Sequence, residues 1–425
     1  MHRQQQNRFF VLMFFVLLSF SSTKTDGGNW TRFRGKNGAG ISEEKEIPVK
    51  WSQKDYQWDI ELPGVGHSSP IVYKGTLFIT SAVDEGALRM LFCLDAKTGK
   101  KRWVRSIGMS LSHKHLKGSW ASSTPATDGK QVYVVFADEE RCFLSAYDFQ
   151  GNLKWRRVTV SNEHVHGQGV SPIVFDGMVI LPGDKEGPSS YIAYNANTGK
   201  TIWSTLRTIR RTSYATPFIL RREGKKPELI TASGAMGICS LDPYTGKINW
   251  FSGELPMRTV ASPIIGNGLI FQTCGGGGRG KLLIGLNPDD QRTKQMIAPS
   301  YQLEKNLPYV PTPVFYKKHL FLWCDNGVVR CLKFPEGKNI WTKRVKGKYS
   351  SSPLCIDGKL YCISEEGEVV VIAASPKYEL LGRTALGDPS YATPTVAGGY
   401  LFLRSFHRLK CLQKKRNYSA VKFIK

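Results

Sequence analysis

Five of the eight histidines lie between residues 67 and 166 and include two His-x-His pairs. The five are His67, His113, His115, His164 and His166. Neutral imidazole is a common ligand of zinc and copper, so two such pairs on neighbouring loops could bind one of these metals. Apart from Glu163, no acidic residue or cysteine lies beside them. The alternative interpretation is that these loops carry solvated or backbone-capping histidines and only shape a surface.

A second group of residues combines aromatic rings with hydroxyl and basic groups. Each member stands two to four residues ahead of a Ser-Pro or Thr-Pro dipeptide, and the group comprises His67, Trp120, Ser122, Gln168, Tyr214, Arg258, Tyr309, Tyr349 and Tyr391. Such side chains suit an anionic or sugar-like ligand, through contact with the rings and attraction to the cations. These are therefore the candidate ligand-binding residues. The alternative is that the tyrosines only cover the ends of structural units.

The Ser-Pro and Thr-Pro dipeptides recur eight times, and such a period indicates a repeat architecture. They begin at Ser69, Thr124, Ser171, Thr216, Ser262, Thr312, Ser352 and Thr393, at intervals of 40 to 55 residues. Each leads into a short apolar run, and most runs then reach a turn such as Asp128-Gly129 or Asn267-Gly268 before a second run. Asp-Gly and Asn-Gly between apolar runs are typical of two-residue β-hairpins, because both central residues need positive φ.

The second half of five units carries a strong or weak copy of a turn of the form Asp-x-x-Thr-Gly-Lys followed by tryptophan, and units five and seven have lost the tryptophan. The strongest copies end at Trp103, Trp203 and Trp250, and weaker copies end at Trp155 and Trp341. We expect each tryptophan to lie on an outer strand and to pack against the neighbouring unit. Four short strands in about 45 residues are typical of a propeller blade. The sequence therefore predicts an all-β, eight-bladed β-propeller of four-stranded blades, with seven blades as the alternative if one unit is distorted.

The eighth unit ends after its third strand, near Leu412, without the Thr-Gly-Lys turn and the tryptophan. A matching strand stands ahead of the first unit, from Gln57 to Leu62, and its Trp58 corresponds to Trp103. We therefore predict that this N-terminal strand completes the last blade. Closure of this kind leaves no open edge in the ring.

At these residues the sequence resembles the repeat family of the pyrroloquinoline-quinone (PQQ) type, whose propeller blades share an Ala-x-Asp-x-x-Thr-Gly-Lys-x-x-Trp docking motif. The resemblance covers roughly residues 55–412. The leading segment from Trp30 to Gly40 looks like one found ahead of such propellers in exported bacterial proteins of unassigned role. The wider family includes quinoprotein alcohol and glucose dehydrogenases and the propeller lipoprotein of the outer-membrane barrel-assembly machinery. The motif serves blade docking, so the resemblance implies the architecture and leaves the function open.

The resemblance also implies an enzymatic alternative, a PQQ-dependent dehydrogenase. Such family members hold PQQ between a tryptophan and a disulfide of adjacent cysteines, with calcium bound by Asp, Asn and Glu and an Asp acting as base. This sequence has no adjacent cysteines, and the segments ahead of the dipeptides contain almost no carboxylates. We therefore expect no catalytic residue and no cofactor. The prediction is a non-catalytic propeller that binds a ligand or protein partner on its mouth face, with PQQ and calcium, or zinc or copper on the histidines, as alternatives.

The N-terminus predicts export. Arg3 and Arg8 precede an apolar run from Phe9 to Phe20 and then small residues, which is typical of a secretory signal. We divide the chain into a signal peptide (1–22), an N-terminal extension (23–54), the propeller (55–412) and a basic tail (413–425). The expected product is a periplasmic or extracellular monomer without a transmembrane span. An uncleaved membrane anchor is the alternative.

The formal net charge is +25, and the basic residues are spread over the whole chain. No reading helix or recognised motif accompanies them, so we expect no specific nucleic-acid binding. An acidic envelope protein or an anionic polymer is the expected partner. The nine cysteines are an odd number, so an exported chain would keep a free thiol or form an intermolecular bond. Most lie in apolar strand-like runs, where a small buried side chain is the simplest interpretation.

Overall fold

Eight antiparallel sheets of four strands follow one another along the chain as the blades of a β-propeller. The computed structural model describes residues 28–160, 169–290, 293 and 295–414.

The innermost strands of blades 1 to 8 are Ile71–Tyr73, Ala126–Thr127, Ile173–Phe175, Phe218–Leu220, Ile264–Gly266, Val314–Tyr316, Leu354–Ile356 and Thr395–Ala397. The second strands are Thr76–Val83, Gln131–Ala137, Met178–Leu181, Glu228–Ser233, Leu269–Gly276, His319–Trp323, Lys359–Ile363 and Tyr400–Arg404. The third strands are Leu88–Asp95, Arg141–Asp148, Gly187–Asn195, Gly237–Leu241, Arg279–Leu286, Val328–Lys333, Glu368–Ala373 and Arg408–Gln413. The outer strands are Lys101–Gly108, Leu153–Val160, Thr201–Ile209, Ile248–Phe251, Tyr301–Leu303, Lys338–Arg344, Leu380–Ala385 and, for blade 8, Tyr56–Glu61. The predicted all-β propeller with eight four-stranded blades is confirmed.

Three tight turns between the innermost and second strands have the backbone that their Asp-Gly and Asn-Gly dipeptides predict, whereas at Asp128-Gly129 only the glycine has positive φ. Asp176-Gly177, Asn267-Gly268 and Asp357-Gly358 have positive φ at both residues, at 45° to 49° and 71° to 78° respectively. A two-residue hairpin turn of type I′ requires this geometry, which glycine adopts without strain. The turns between the second and third strands, and the connections between blades, emerge at the opposite end of the ring. We call that end the mouth.

Most outer-strand tryptophans pack on the short turn between the third and outer strands of the next blade, as the repeats predict. The indole Nε1 donates to a carbonyl of that turn in the pairs Trp103 to Phe149 (2.8 Å), Trp155 to Ala196 (2.8 Å), Trp203 to Pro243 (2.9 Å) and Trp341 to Ser375 (3.1 Å). A Cβ on Gly199 would lie 2.6 Å from the Trp155 ring, so the turn needs glycine for close contact as well as for its positive φ. Trp250 differs because blade 5 lacks this turn, and its Nε1 donates to Glu228 of its own blade at 2.7 Å.

Blade 8 is completed by the strand that precedes blade 1, as the position of Trp58 predicts. Tyr56–Glu61 pairs antiparallel with Arg408–Gln413, with Trp58 opposite Cys411. Trp58 is 9% exposed, and its Nε1 donates to the carbonyl of Ala96 in blade 1 at 3.2 Å. The same strand therefore completes the last blade and joins it to the first.

Residues 30–42 cross the central channel, and we call this segment the strap. Backbone bonds join Trp30 to Val72 of blade 1 at one end of the strap. At the other end, Ile41–Ser42 forms a fifth strand parallel to the innermost strand of blade 7. The strap lies within the predicted N-terminal extension (residues 23–54), and the structure places it inside the ring. Its 3-10 turn is Lys36–Gly38, and the other 3-10 turns are Gln53–Asp55 and Asp84–Gly86.

All nine cysteines are buried as free thiols, and none of the nine, which all lie in the described residues, forms a disulfide. Burial raises the pKa of the Cys331 and Cys355 thiols to about 12. The cysteines therefore serve as small buried side chains, as their apolar surroundings in the sequence indicate. No helix within the described ranges is long and apolar enough to cross a membrane.

Candidate functional site

The serine or threonine of each repeated dipeptide stands at the mouth end of an innermost strand, and these residues bond one another around the channel. The backbone N–H of one donates to the hydroxyl of the next at 3.0 Å in the pairs Ser69 to Thr124, Thr124 to Ser171, Thr216 to Ser262, Ser262 to Thr312, Thr312 to Ser352 and Ser352 to Thr393. We call these eight residues the hydroxyl ring. The repeat keeps serine or threonine at this position because the hydroxyl holds neighbouring blades together.

The carbonyls of the prolines that follow the hydroxyl ring accept hydrogen bonds from arginines of the strap. Arg34 is fully buried and donates to Pro313 of blade 6 at 2.8 Å and to Pro353 of blade 7 at 2.9 Å. Arg32 donates to Pro217 of blade 4 at 2.5 Å. Burial lowers the pKa of each guanidinium to about 9, so both are charged at neutral pH. The strap is therefore bonded into the channel just beneath the hydroxyl ring.

Above the strap lies a cavity of about 740 Å³ that opens at the mouth. Phe33 of the strap forms part of its floor, and Thr124, Ser171, Thr216, Thr312, Ser352 and Thr393 of the hydroxyl ring line it. Six of the nine candidate ligand-binding residues stand on its wall, namely His67, Ser122, Tyr214, Arg258, Tyr309 and Tyr391. The structure thus brings these six together from six different connections between blades.

Three candidate residues are not brought to the cavity wall. Tyr349 is fully buried, because its ring packs edge-on against Trp323 and its hydroxyl donates to the carbonyl of Lys346 at 2.8 Å. Trp120 is half-buried beside the cavity and donates through Nε1 to the carbonyl of Ser112 at 2.9 Å. Gln168 lies outside the described residues. Tyr349 therefore lies in a connection at the mouth without lining the cavity, and its role as a ligand-binding residue stays a prediction.

His67 is enclosed by aromatic rings. Its imidazole lies 4.8 Å from the ring of Tyr391 and 5.0 Å from that of Phe406, between ring centroids. Burial, followed by the positive charges of Arg404 and Lys114, lowers the pKa of His67 to about 3. Its Nε2 is buried and, among the described residues, has no hydrogen-bond partner. His67 is therefore a neutral group on the cavity wall at physiological pH.

Three cations and one carboxylate line the cavity. Lys117 pairs with Glu365 at 2.6 Å, and Arg258 pairs with Glu186 at 3.3 Å. Lys348 is the third cation, and Asp325 is the carboxylate. Asp325 accepts the backbone N–H groups of Tyr309 (2.7 Å) and Val310 (3.2 Å), although burial raises the pKa of its carboxyl group. The lining cations therefore outnumber the one lining carboxylate, although Glu365 and Glu186 pair with two of the three cations.

The turns between the second and third strands contribute residues that the sequence analysis did not include. Asp325, Asn326 and the glycines at 276–278 line the cavity from two such turns, and Glu186 and Glu365 reach it from two others. The scarcity of carboxylates ahead of the dipeptides therefore does not extend to these turns, which supply Asp325, Glu186 and Glu365. These turns could have been found from the sequence, because in every blade they return to the same end as the connections.

Of the four histidines proposed as metal ligands, His113 and His115 are exposed on the connection between blades 1 and 2, and His115 lines the cavity. His115 Nδ1 accepts the backbone N–H of Lys117 at 3.2 Å. His164 and His166 lie outside the described residues. Within the described residues, no three His, Cys, Asp or Glu side chains are grouped as a metal site would require. The His-x-His metal site stays a prediction.

The residues of the cavity do not fit PQQ with calcium. Asp325 and Asn326 are the only adjacent carboxylate and amide on the described wall, and Asp325 is already occupied by two backbone N–H groups. No cysteine and no tryptophan is among the described residues that line the cavity. A quinone cofactor would therefore lack both the stacking groups and the oxygen ligands that the family resemblance implies for it.

A family model described as the outer membrane protein assembly factor BamB matches residues 49–217, which span the closing strand and blades 1 to 3. No curated protein sequence matches the chain significantly. Among solved structures, BamB from Moraxella catarrhalis aligns with a TM-score of 0.58 at 14% identity, over 85% of this chain and 98% of that one.

Two further solved structures show how widely this architecture is used. Quinohemoprotein alcohol dehydrogenase from Comamonas testosteroni aligns with a TM-score of 0.65 at 14% identity, over 93% of this chain and 82% of that one. The computationally designed Ika8 protein aligns with a TM-score of 0.60 at 9% identity, over 83% of this chain and 98% of that one. At such low identity the likeness shows the fold alone, so the function has to be argued from the cavity.

Proposed function

We propose that this chain, a member of the PQQ-like repeat family of β-propellers, is a non-catalytic binding protein that takes an anionic ligand into the mouth cavity. The observation that carries the proposal is the charge of the cavity wall. Lys117, Arg258 and Lys348 converge there with Asp325 as the one carboxylate among the described lining residues, and Glu365 and Glu186 pair with the first two cations. Cations that converge on a concave wall attract an anion more strongly than the same charges on a convex surface.

The size of the cavity supports a small ligand or the end of a polymer. Sites for small molecules have volumes of about 300 to 1,000 Å³ and few, well-placed polar groups. The cavity of about 740 Å³ falls within this range. A folded partner domain would not enter it, although an acidic segment of a partner would.

The side chains that line the cavity favour binding over quinoprotein catalysis. Quinoprotein chemistry in this family rests on a stacked cofactor and a calcium ion. The described lining residues include neither the tryptophan and cysteines that would stack on the cofactor nor a set of free carboxylates that would bind calcium. The enzymatic alternative is therefore the weaker one. The polar groups that do line the wall suit recognition of charge and of hydroxyl or carboxylate oxygens.

We further propose that binding takes place outside the cytoplasm. The charged start and the apolar run from Phe9 to Phe20 support export. The ligand is then an anionic polymer of the envelope, or an acidic segment of an envelope protein. Attraction of this kind weakens as salt screens the charges.

The test is calorimetric titration of the full-length mature protein with oligogalacturonate and with a neutral oligosaccharide of equal length. We expect binding of the acidic probe alone, weakening between 50 and 300 mM NaCl. The site variant Lys348→Gln should weaken binding about tenfold, because a charge-assisted hydrogen bond is lost. The matched control is Lys343→Gln on the exposed outer strand of blade 6, which should bind as the wild type does.

Two outcomes would overturn the proposal. One is equal loss of binding in the site variant and in the matched control, which would move the interaction to the outer surface. The other is stoichiometric binding of PQQ with Ca²⁺ together with dye-linked oxidation of an alcohol or aldose. Thermal unfolding of each variant shows whether the ring is intact.

A further inference from the structure

The hydroxyl ring presents unused donors to the cavity. A hydroxyl can accept hydrogen bonds and donate one. Six hydroxyls of the ring line the cavity, and five of them accept a backbone N–H of the preceding blade. In the described chain, none of these six hydroxyls donates to a protein acceptor. Their O–H protons are therefore available to oxygen atoms of a ligand on the cavity floor.

Cations and hydroxyl donors occupy different levels of the cavity. Lys117 and Arg258 reach it from the mouth, where they pair with Glu365 and Glu186. The hydroxyl ring and Phe33 of the strap lie at the floor. A ligand that satisfies both levels carries an anionic group at one end and several oxygen acceptors at the other.

The wall between these levels is aromatic. Tyr214, Tyr309 and Tyr391 line it, together with the imidazole of His67. The buried Nε2 of His67 has no hydrogen-bond partner among the described residues, and the imidazole is enclosed by Tyr391 and Phe406. An unpartnered polar atom at such a position is expected to be satisfied by a bound molecule.

From these observations, and resting on the proposed anionic ligand, we propose that the cavity is a subsite for an acidic sugar. Its carboxylate would lie towards Lys348 and Arg258, and its ring hydroxyls and ring oxygen would accept from the hydroxyl ring. Because the strap crosses the channel beneath the floor, the sugar enters from the mouth. It is then either a free monosaccharide or the terminal unit of an acidic polysaccharide.

Thr216 allows this subsite to be tested without breaking the ring. Its hydroxyl lines the cavity but, within the described residues, accepts no N–H from the preceding blade and makes no other hydrogen bond. Thr216→Val therefore removes a donor from the cavity and leaves every inter-blade bond in place. In contrast, Thr312→Val would remove the acceptor of the Ser262 N–H bond, so it is unsuitable.

The experiment titrates the full-length mature protein with glucuronate, glucose, succinate and an oligoglucuronate. We expect glucuronate to bind more tightly than glucose or succinate, because only it satisfies both levels. Thr216→Val should weaken glucuronate binding about five- to tenfold, as loss of one hydrogen bond requires. Thr216→Ser, which keeps the hydroxyl, should bind within twofold of wild type. The matched control Thr342→Val, on the outer strand of blade 6, should bind like the wild type.

The four ligands and the variants show which of the two proposals is wrong if the expected binding is not observed. If succinate binds as well as glucuronate and Lys348→Gln weakens both, the anionic site stands and the sugar subsite is wrong. If Thr216→Val binds glucuronate like the wild type, the hydroxyl ring is not part of the site. If neither anion binds, the proposed function fails with it. Tighter binding of the oligomer than of glucuronate identifies the end of a polysaccharide as the source, and the reverse identifies the free sugar.

If the Thr216→Val protein does not fold, Thr216→Ala removes the same hydroxyl with a smaller side chain.

Discussion

Replacing His67 by phenylalanine is expected to make the protein less sensitive to acid. The folded protein holds the imidazole neutral, with a pKa of about 3, because it is buried and lies near Arg404 and Lys114. In the unfolded chain a histidine titrates near pH 6.5. Between these values the unfolded chain binds more protons than the folded one. Stability is therefore complete above pH 6.5 and is lost as the pH falls towards 3.

The size of the effect follows from the two pKa values. Protonation of the unfolded chain alone lowers the free energy of unfolding by about 2 kcal/mol between pH 7 and pH 5. Phenylalanine preserves the ring contacts with Tyr391 and Phe406 and removes the titrating group. The His67→Phe protein should accordingly lose about 2 kcal/mol less than the wild type over the same interval.

Urea unfolding at pH 7, 6 and 5, with the slope of each transition checked for constancy, measures this difference. The matched control is His319→Gln, at the end of the ring opposite the mouth, which should leave the acid sensitivity of the wild type in place. An identical loss of stability in the wild type and in His67→Phe would refute the buried neutral imidazole. A titration of His67 near pH 6.5, observed by NMR, would do the same.

Three further predictions concern the ring and the N-terminus. Trp58→Ala should cost about 3 to 5 kcal/mol, because a large buried ring and its bond to Ala96 are lost, and an unchanged urea midpoint would argue against closure through this strand. Arg34→Met should cost about 2 to 5 kcal/mol, since the carbonyls of Pro313 and Pro353 would stay buried without donors, and a variant as stable as the wild type would show that the strap is not needed. Mass spectrometry of the secreted protein should find the N-terminus near residues 21–23, and a soluble cytoplasmic protein with residues 1–20 intact would contradict export.

The sequence by itself determined the architecture. Eight Ser/Thr-Pro dipeptides, the Gly-containing turns and the blade-docking tryptophans predicted eight four-stranded blades, and Trp58 predicted how the ring is closed. These features can be recognised in the sequence because each one depends on local conformation or on contacts between neighbouring repeats. A tight turn needs a residue with positive φ, an outer-strand tryptophan needs a turn of the next blade to pack on, and both features recur once in most repeats. The same regularity placed six of the candidate ligand-binding residues on one cavity wall.

Only the tertiary structure decided which segment occupies the central channel and which charged residues line the cavity at the mouth. The strap has no repeat, and its arginines bond carbonyls 185 to 319 residues away, which no local pattern indicates. Backbone carbonyls also carry no sequence signature, because every residue has one. Asp325 and Lys117 reach the cavity from blades that lie apart in the sequence, and Tyr349 turns away from it into the core. Side-chain direction at a loop depends on contacts between distant segments, and those contacts exist only once the ring has closed.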